Sequence, residues 1–65
     1  MEFINVLETL NNGEVLEFEN GLVSQDGEYF VVEKYEYTTS GGDKMYSVYD
    51  SYTSYKKAIR TVLNF

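Results

Sequence analysis

Hydrophobic residues recur at helical spacing at the start of the chain, before the pattern changes to strand-like alternation. The apolar positions of residues 2–11 are three or four residues apart: Phe3, Val6, Leu7 and Leu10. This spacing predicts an amphipathic helix over residues 2–11. Asn12-Gly13 follows and supplies the left-handed residue at which many helices end.

Three strand-like runs follow, over residues 14–19, 22–25 and 28–37, separated by Asn20-Gly21 and Asp26-Gly27. Both dipeptides favour two-residue hairpin turns, because each central position then needs a positive φ. Turns at these dipeptides predict a register in which Val23 lies opposite Phe18 on one side and Phe30 on the other.

Since side chains alternate across a sheet, this register sorts the residues onto two faces. One face is apolar and predicts the core: Leu16, Phe18, Val23, Phe30 and Val32. The other face mixes tyrosine, aliphatic and acidic residues: Val15, Glu17, Glu19, Leu22, Ser24, Tyr29, Val31, Glu33, Tyr35 and Tyr37.

A loop over residues 38–43 separates the third run from a fourth strand predicted over residues 44–50. If the hairpin is regular and Val48 lies on the core face, Tyr46 lies on the core face as well, and Met45, Ser47 and Tyr49 lie on the opposite face. A β-bulge would overturn this assignment. Asp50 or Ser51 is the expected cap of a last helix. Its apolar stripe comprises Tyr52, Tyr55, Ala58, Ile59, Val62 and Leu63.

The predicted element order is therefore α-β-β-β-β-α in a single domain over residues 1–65. We expect an α+β fold: a two-layer sandwich in which two helices cover one face of an antiparallel four-stranded meander. A core of this size is marginal, so binding to a partner or to a second copy is an expected source of further stability.

The composition argues against catalysis and metal binding. The chain contains no cysteine and no histidine, which removes the commonest general base and the commonest metal ligands. Ser51, Ser54 and Lys57 are interpreted as helix-cap and surface residues rather than a nucleophilic site. We therefore expect a non-enzymatic protein with no cofactor and no metal.

Charge is distributed unevenly along the chain. The formal net charge is −6; all eleven acidic residues lie in residues 1–55, and Lys56, Lys57 and Arg60 follow. An acidic body repels nucleic acid and anionic membranes, and attracts basic partners. Neither a phosphate-binding glycine loop nor an RNA-recognition signature occurs, so we expect no direct nucleic-acid binding. With no apparent signal peptide or membrane span, a cytoplasmic location is expected.

The tyrosine-rich, acidic face is the predicted functional surface, because tyrosine is enriched at protein interfaces and monomers rarely expose large apolar-aromatic patches. The predicted partner-binding residues are Glu17, Glu19, Tyr29, Val31, Glu33, Tyr35, Tyr37, Asp43 and Tyr49. One hypothesis is binding to a basic protein surface, with acidic side chains placed where that surface expects phosphates. The alternative is a homodimeric structural or regulatory subunit with Tyr29, Val31 and Tyr35 at its interface.

In size, acidity, aromatic content and lack of cysteine, the chain resembles the small proteins that bacteriophages encode to inhibit host nucleases, restriction systems or CRISPR effectors. That resemblance implies stoichiometric inhibition by binding, in some cases by imitating DNA. It would place the protein in the cytoplasm of the host cell.

Overall fold

The computed structural model describes residues 8–65, which form a helical segment, a four-stranded antiparallel sheet and a C-terminal helix. Residues 8–11 are helical (α1). The strands are β1 (Leu16–Phe18), β2 (Gly21–Asp26), β3 (Tyr29–Thr38) and β4 (Lys44–Tyr52), and they lie in the order β1-β2-β3-β4. The last helix is α2 (Tyr55–Leu63). The α+β meander predicted from the sequence is confirmed.

The end of α1 is a Schellman motif, which explains the predicted stop at Asn12-Gly13. Gly13 has φ +82°, its amide donates to the Leu10 carbonyl at 3.0 Å, and the Glu14 amide donates to the Thr9 carbonyl at 3.2 Å. These bonds satisfy carbonyls that the helix leaves unpaired. The predicted helical residues Phe3, Val6 and Leu7 lie outside the described residues.

The apolar face predicted from alternation is confirmed as the core. Val23, Phe30 and Val32 pack with Leu10 of α1 and with Ala58, Ile59 and Val62 of α2, and Leu16 and Phe18 lie against this cluster. Fully burying one such aliphatic side chain contributes about 1.5–3 kcal/mol. The described parts of both helical segments thus supply core residues to the same face of the sheet.

The strand register differs from the prediction by two residues at both early hairpins. Val23 lies opposite Leu16 and Val32, rather than Phe18 and Phe30. The two-residue turns are Glu19-Asn20 and Gly27-Glu28, each displaced by one position from the predicted dipeptide. A shift of two residues preserves the side-chain alternation, and the faces therefore survive the error.

Each displaced turn has a local reason. Gly27 is the first central residue of its turn and has φ +62°, whereas Glu28, the second, does not have a positive φ. A positive φ at the first central position alone is the type II′ pattern. Gly21 lies inside β2, where a Cβ would meet the Glu33 carbonyl oxygen, Val62 Cγ2 at 2.7 Å and Phe65 Cε2 at 3.2 Å. Gly21 is therefore required by the close approach of the β3 backbone and of α2 rather than by turn geometry.

Two β-bulges divide the hairpin formed by β3 and β4. Val32 lies opposite Asp50 and Glu33 opposite Val48, which leaves Tyr49 without an opposite residue. Tyr35 then lies opposite Tyr46 and Tyr37 opposite Met45, which leaves Glu36 unpaired. Each bulge changes the face to which the following residues point.

The first bulge overturns the predicted core positions in β4. Val48 is 68% exposed, and Tyr46 shares a face with Tyr35 rather than with the core. Tyr49 points instead toward the helix side, where its ring contacts Phe65. The face assigned to these three residues from a regular hairpin is therefore wrong.

The last helix begins later than predicted because β4 continues through Asp50, Ser51 and Tyr52. Ser54 is the N-cap: its hydroxyl accepts a hydrogen bond from the Lys57 amide at 3.4 Å. Tyr52 ends the strand, and Tyr52 and Tyr55 both lie half-buried against the core, as predicted for their rings. Leu63 is 62% exposed and is not part of the apolar stripe.

Replacing Ser54 by alanine is expected to destabilise the protein by about 0.5–1 kcal/mol, because the helix loses its side-chain cap. The value lies at the low end for caps because the bond is long. Thermal unfolding of Ser54→Ala and Ser51→Ala would test the assignment. Ser51→Ala is expected to be nearly neutral; a larger loss from Ser51→Ala would contradict the cap at Ser54.

Candidate functional site

The sheet face opposite the core, called the open face below, carries a row of four directly opposed side chains. Glu17 lies opposite Leu22, Leu22 opposite Glu33, and Glu33 opposite Val48. Neighbouring strands are about 4.8 Å apart, so the Cα atoms of Glu17 and Glu33 lie roughly 10 Å apart, on either side of Leu22. This row is called the acidic row.

Exposure varies sharply along the acidic row. Leu22 is only 9% exposed although it lies outside the core cluster, Glu33 is half-buried, and Val48 is 68% exposed. Leu22 therefore forms a covered apolar centre between two acids, and Val48 a large uncovered apolar edge. A protein surface with apolar and cationic groups would complement this arrangement.

Tyrosines flank the acidic row on the open face. The rings of Tyr35 and Tyr46 meet edge to face, with centroids 6.0 Å apart and planes at 69°. The Tyr35 hydroxyl shares a hydrogen bond of 2.5 Å with Thr38 Oγ1. Such a bonded edge-to-face pair presents a preorganised aromatic surface that loses little side-chain entropy on binding.

On the other side of the row, Val31 is half-buried between Ser24 and Ser51, and Tyr29 lies opposite Asp26 with 51% of its surface exposed. The open face therefore carries these residues: Glu17, Leu22, Ser24, Asp26, Tyr29, Val31, Glu33, Tyr35, Thr38, Lys44, Tyr46, Val48 and Ser51. Lys44 belongs to it because β4 is regular from Lys44 to Val48, where alternate residues share a face.

The structure brings together five of the nine predicted partner-binding residues. Glu17, Tyr29, Val31, Glu33 and Tyr35 all lie on the open face, at the register positions described above. Their common face follows from strand alternation, which the two-residue register shift left intact. This group is the candidate site.

The other four predicted residues lie elsewhere, and for each the cause is local. Glu19 is in the β1–β2 turn, and Asp43 is in the loop between β3 and β4. Tyr37 lies opposite Met45 beyond the bulge at Glu36, which turns both toward the helix side; the prediction that they face away from the core is wrong. Tyr49 is the unpaired residue of the other bulge.

Tyr49 belongs to an aromatic cluster on the helix side. Its ring meets Phe65 edge to face at 4.9 Å, and the Lys34 ammonium lies 5.5 Å from the centre of the Phe65 ring. Asn20 Nδ2 also donates to the Phe65 carbonyl at 3.2 Å. Phe65, which follows α2, thus contacts the β1–β2 turn through Asn20 and β4 through Tyr49. Tyr49 therefore has a packing role.

The β3–β4 loop is closed by hydrogen bonds between its own residues. The Thr39 amide donates to the Asp43 carbonyl at 2.8 Å, and the Asp43 amide donates to Thr39 Oγ1 at 3.1 Å. Gly42, with φ +89°, allows the tight return. At the strand ends beside this loop, Tyr37 and Met45 are 58% and 41% exposed.

Reasoning from the sequence missed several open-face residues, among them Lys44, Tyr46 and Val48 in β4. Their placement depends on the bulge at Tyr49, and a bulge leaves no distinct mark in a run such as Lys44–Tyr52 that lacks glycine and proline. Val48 is apolar and therefore suggested the core face, and alternation within β4 alone could not show that it lies on the open face.

Residues 8–65 contain no pocket and no group of three or more acidic side chains arranged to hold a metal ion. Across the same residues, neither helical segment is long and apolar enough to span a bilayer. Comparison of the chain with protein-family models, curated proteins and solved structures finds no match.

Proposed function

We propose that this protein is a non-enzymatic binding module that inhibits a nucleic-acid-binding protein by occupying its basic surface through the open face. The acidic row carries the proposal: two glutamates lie on the strands either side of a covered leucine, with an exposed valine at the end. The row has one residue on each of the four strands, so the sheet sets the distance between their Cα atoms.

The composition of the open face suits a protein partner better than a nucleic acid. Lys44 is the single basic side chain on that face among residues 8–65, whereas phosphate binding relies on several. Acids surrounding tyrosine and valine would instead steer a basic surface into contact and then bury apolar area. A partner that normally binds DNA or RNA offers such a surface, and binding of this module would block it.

The alternative of a dimer formed face to face across Tyr29, Val31 and Tyr35 is less favourable. It would bring Glu17 and Glu33 of both copies into one interface, where burying unpaired carboxylates is costly. A basic partner avoids this cost because it supplies the countercharges.

Reversing both charges of the acidic row, in the variant Glu17→Lys/Glu33→Lys, is expected to weaken partner binding by about tenfold or more, since two attractions become repulsions. The immobilised protein would capture its partner from a bacterial lysate, and the affinity of the identified partner would then be measured by calorimetry. Added double-stranded DNA is expected to compete.

The matched control is Glu8→Lys/Glu14→Lys, which changes the net charge equally at exposed positions outside the open face. This control is expected to retain most of the affinity. Equal losses in both variants would show that net charge alone matters. Capture of no basic protein, or an absence of competition by DNA, would contradict the proposed function.

A further inference from the structure

Strand β4 is an edge of the sheet with an unusual distribution of charge. Among the described residues it pairs with β3 on one side only. Its charged residues are Lys44 and Asp50, and the run between them, Met45–Tyr49, is uncharged and contains no glycine or proline. An exposed edge of this kind is a template for pairing with another strand, which proteins usually block with charge or proline.

The bulge at Tyr49 determines how much of this edge is available for pairing. Residues 44–48 form a regular stretch, because the second irregularity of the hairpin lies in β3 at Glu36. At Tyr49 the strand bends and its twist increases, which terminates a regular ladder. A second strand would therefore pair with residues 44–48.

We propose that this edge pairs with the same edge of a second copy, in an antiparallel ladder centred on Tyr46. The two-fold axis would place Tyr46 opposite Tyr46, Met45 opposite Ser47, and Lys44 opposite Val48 of the second copy. This register uses the whole regular stretch and avoids both bulged positions. The result is a continuous eight-stranded sheet with both pairs of helical segments on one side.

Charge complementarity identifies the second copy as the occupant. In this register the acidic row continues across the interface, from Glu33 through Val48 to Lys44 of the second copy. Glu33 and that lysine stand two strands apart, at about 10 Å, a distance that their long side chains span together over Val48. By symmetry the contact forms twice, and the single open-face lysine meets the nearer carboxylate of the row.

Edge pairing also reduces the exposure of an apolar side chain without covering the open face. Val48, 68% exposed in the single chain, would become a central residue of the joined sheet. The two open faces would lie side by side and remain accessible. Self-association and the proposed partner binding share Glu33 of the acidic row, but each is tested by its own measurement.

The chain has no cysteine, so single cysteines would report the register. An equimolar mixture of Met45→Cys and Ser47→Cys, oxidised in a glutathione buffer, is expected to form mixed disulfide dimers in excess over dimers of either variant. Directly opposed residues have Cα atoms about 4.5–5.5 Å apart, within the range that a disulfide needs, whereas 45–45 and 47–47 pairs are diagonal. Statistical amounts of the three dimers would overturn the register.

Sedimentation from about 10 µM to about 1 mM, at about 0.15 M salt to screen the net charge, would measure the affinity without cross-linking. Lys44→Glu is expected to weaken dimerisation by about tenfold, and Lys44→Glu/Glu33→Lys to restore it. A chain that remains monomeric at the highest concentration overturns the proposal, as does a double variant no tighter than Lys44→Glu. Circular dichroism of each variant confirms that the fold is retained.

Discussion

Replacing Gly21 by alanine is expected to lower the free energy of unfolding by about 3 kcal/mol, at the upper end of overpacking effects. The new Cβ would meet the Glu33 carbonyl oxygen of the neighbouring strand and Val62 Cγ2 at 2.7 Å. The carbonyl belongs to the backbone of a paired strand and Val62 is 1% exposed, so neither yields without loss of packing. For a chain of this size the loss is a large part of a total stability of roughly 3–10 kcal/mol.

Gly41→Ala is the matched control for this prediction. A Cβ at Gly41 would lie 3.9 Å from its nearest neighbours, and its φ is not positive. Alanine there is expected to be neutral or to stabilise by up to about 1 kcal/mol, because it restricts the unfolded chain. Urea unfolding of both variants would give the difference; similar midpoints would contradict the close approach of the Glu33 carbonyl and of Val62 to Gly21.

The second large effect is expected from Ile59→Ala, which should cost about 2–5 kcal/mol by leaving a cavity in the core. Ile59 is 1% exposed and packs in the cluster that joins α2 to the sheet and to Leu10. A loss at the upper end of that range would leave much of the population unfolded at 25 °C.

Leu63→Ala on the same helix provides the comparison. Leu63 is 62% exposed, and its truncation is expected to change the stability by less than about 0.5 kcal/mol. Both variants have alanine's high helix propensity, so their difference in thermal unfolding isolates the burial of Ile59. If the two variants unfolded at the same temperature, the core assigned to α2 would be wrong.

The fold was predictable because its main signals depend on periodicity rather than on exact positions. Turn chemistry at residues 20–21 and 26–27 located both early hairpins, and an error of one residue in each turn moved the register by two. The apolar set of Val23, Phe30 and Val32 therefore stayed on the core face. The open-face positions of Glu17 and Glu33 were predictable for the same reason.

The remainder of the site was not predictable, because a single unpaired residue reverses the alternation. The bulge at Tyr49 placed Tyr46 and Val48 on the open face, and the one at Glu36 removed Tyr37 from it. Both depend on strand pairing across the sheet, which the local sequence does not encode. The cap at Ser54 was missed for a related reason: β4 extends its pairing with β3 through Tyr52, opposite Phe30.

The strand order β1-β2-β3-β4 has a consequence for how the chain folds. Every strand pairs with its neighbour in sequence, so each hairpin closes a short loop and loses little chain entropy in doing so. Such local topology favours fast folding. The contact between Asn20 and Phe65, 45 residues apart, closes a far longer loop. The hairpins of the meander are therefore expected to form before the contacts of the segment after α2 with the β1–β2 turn.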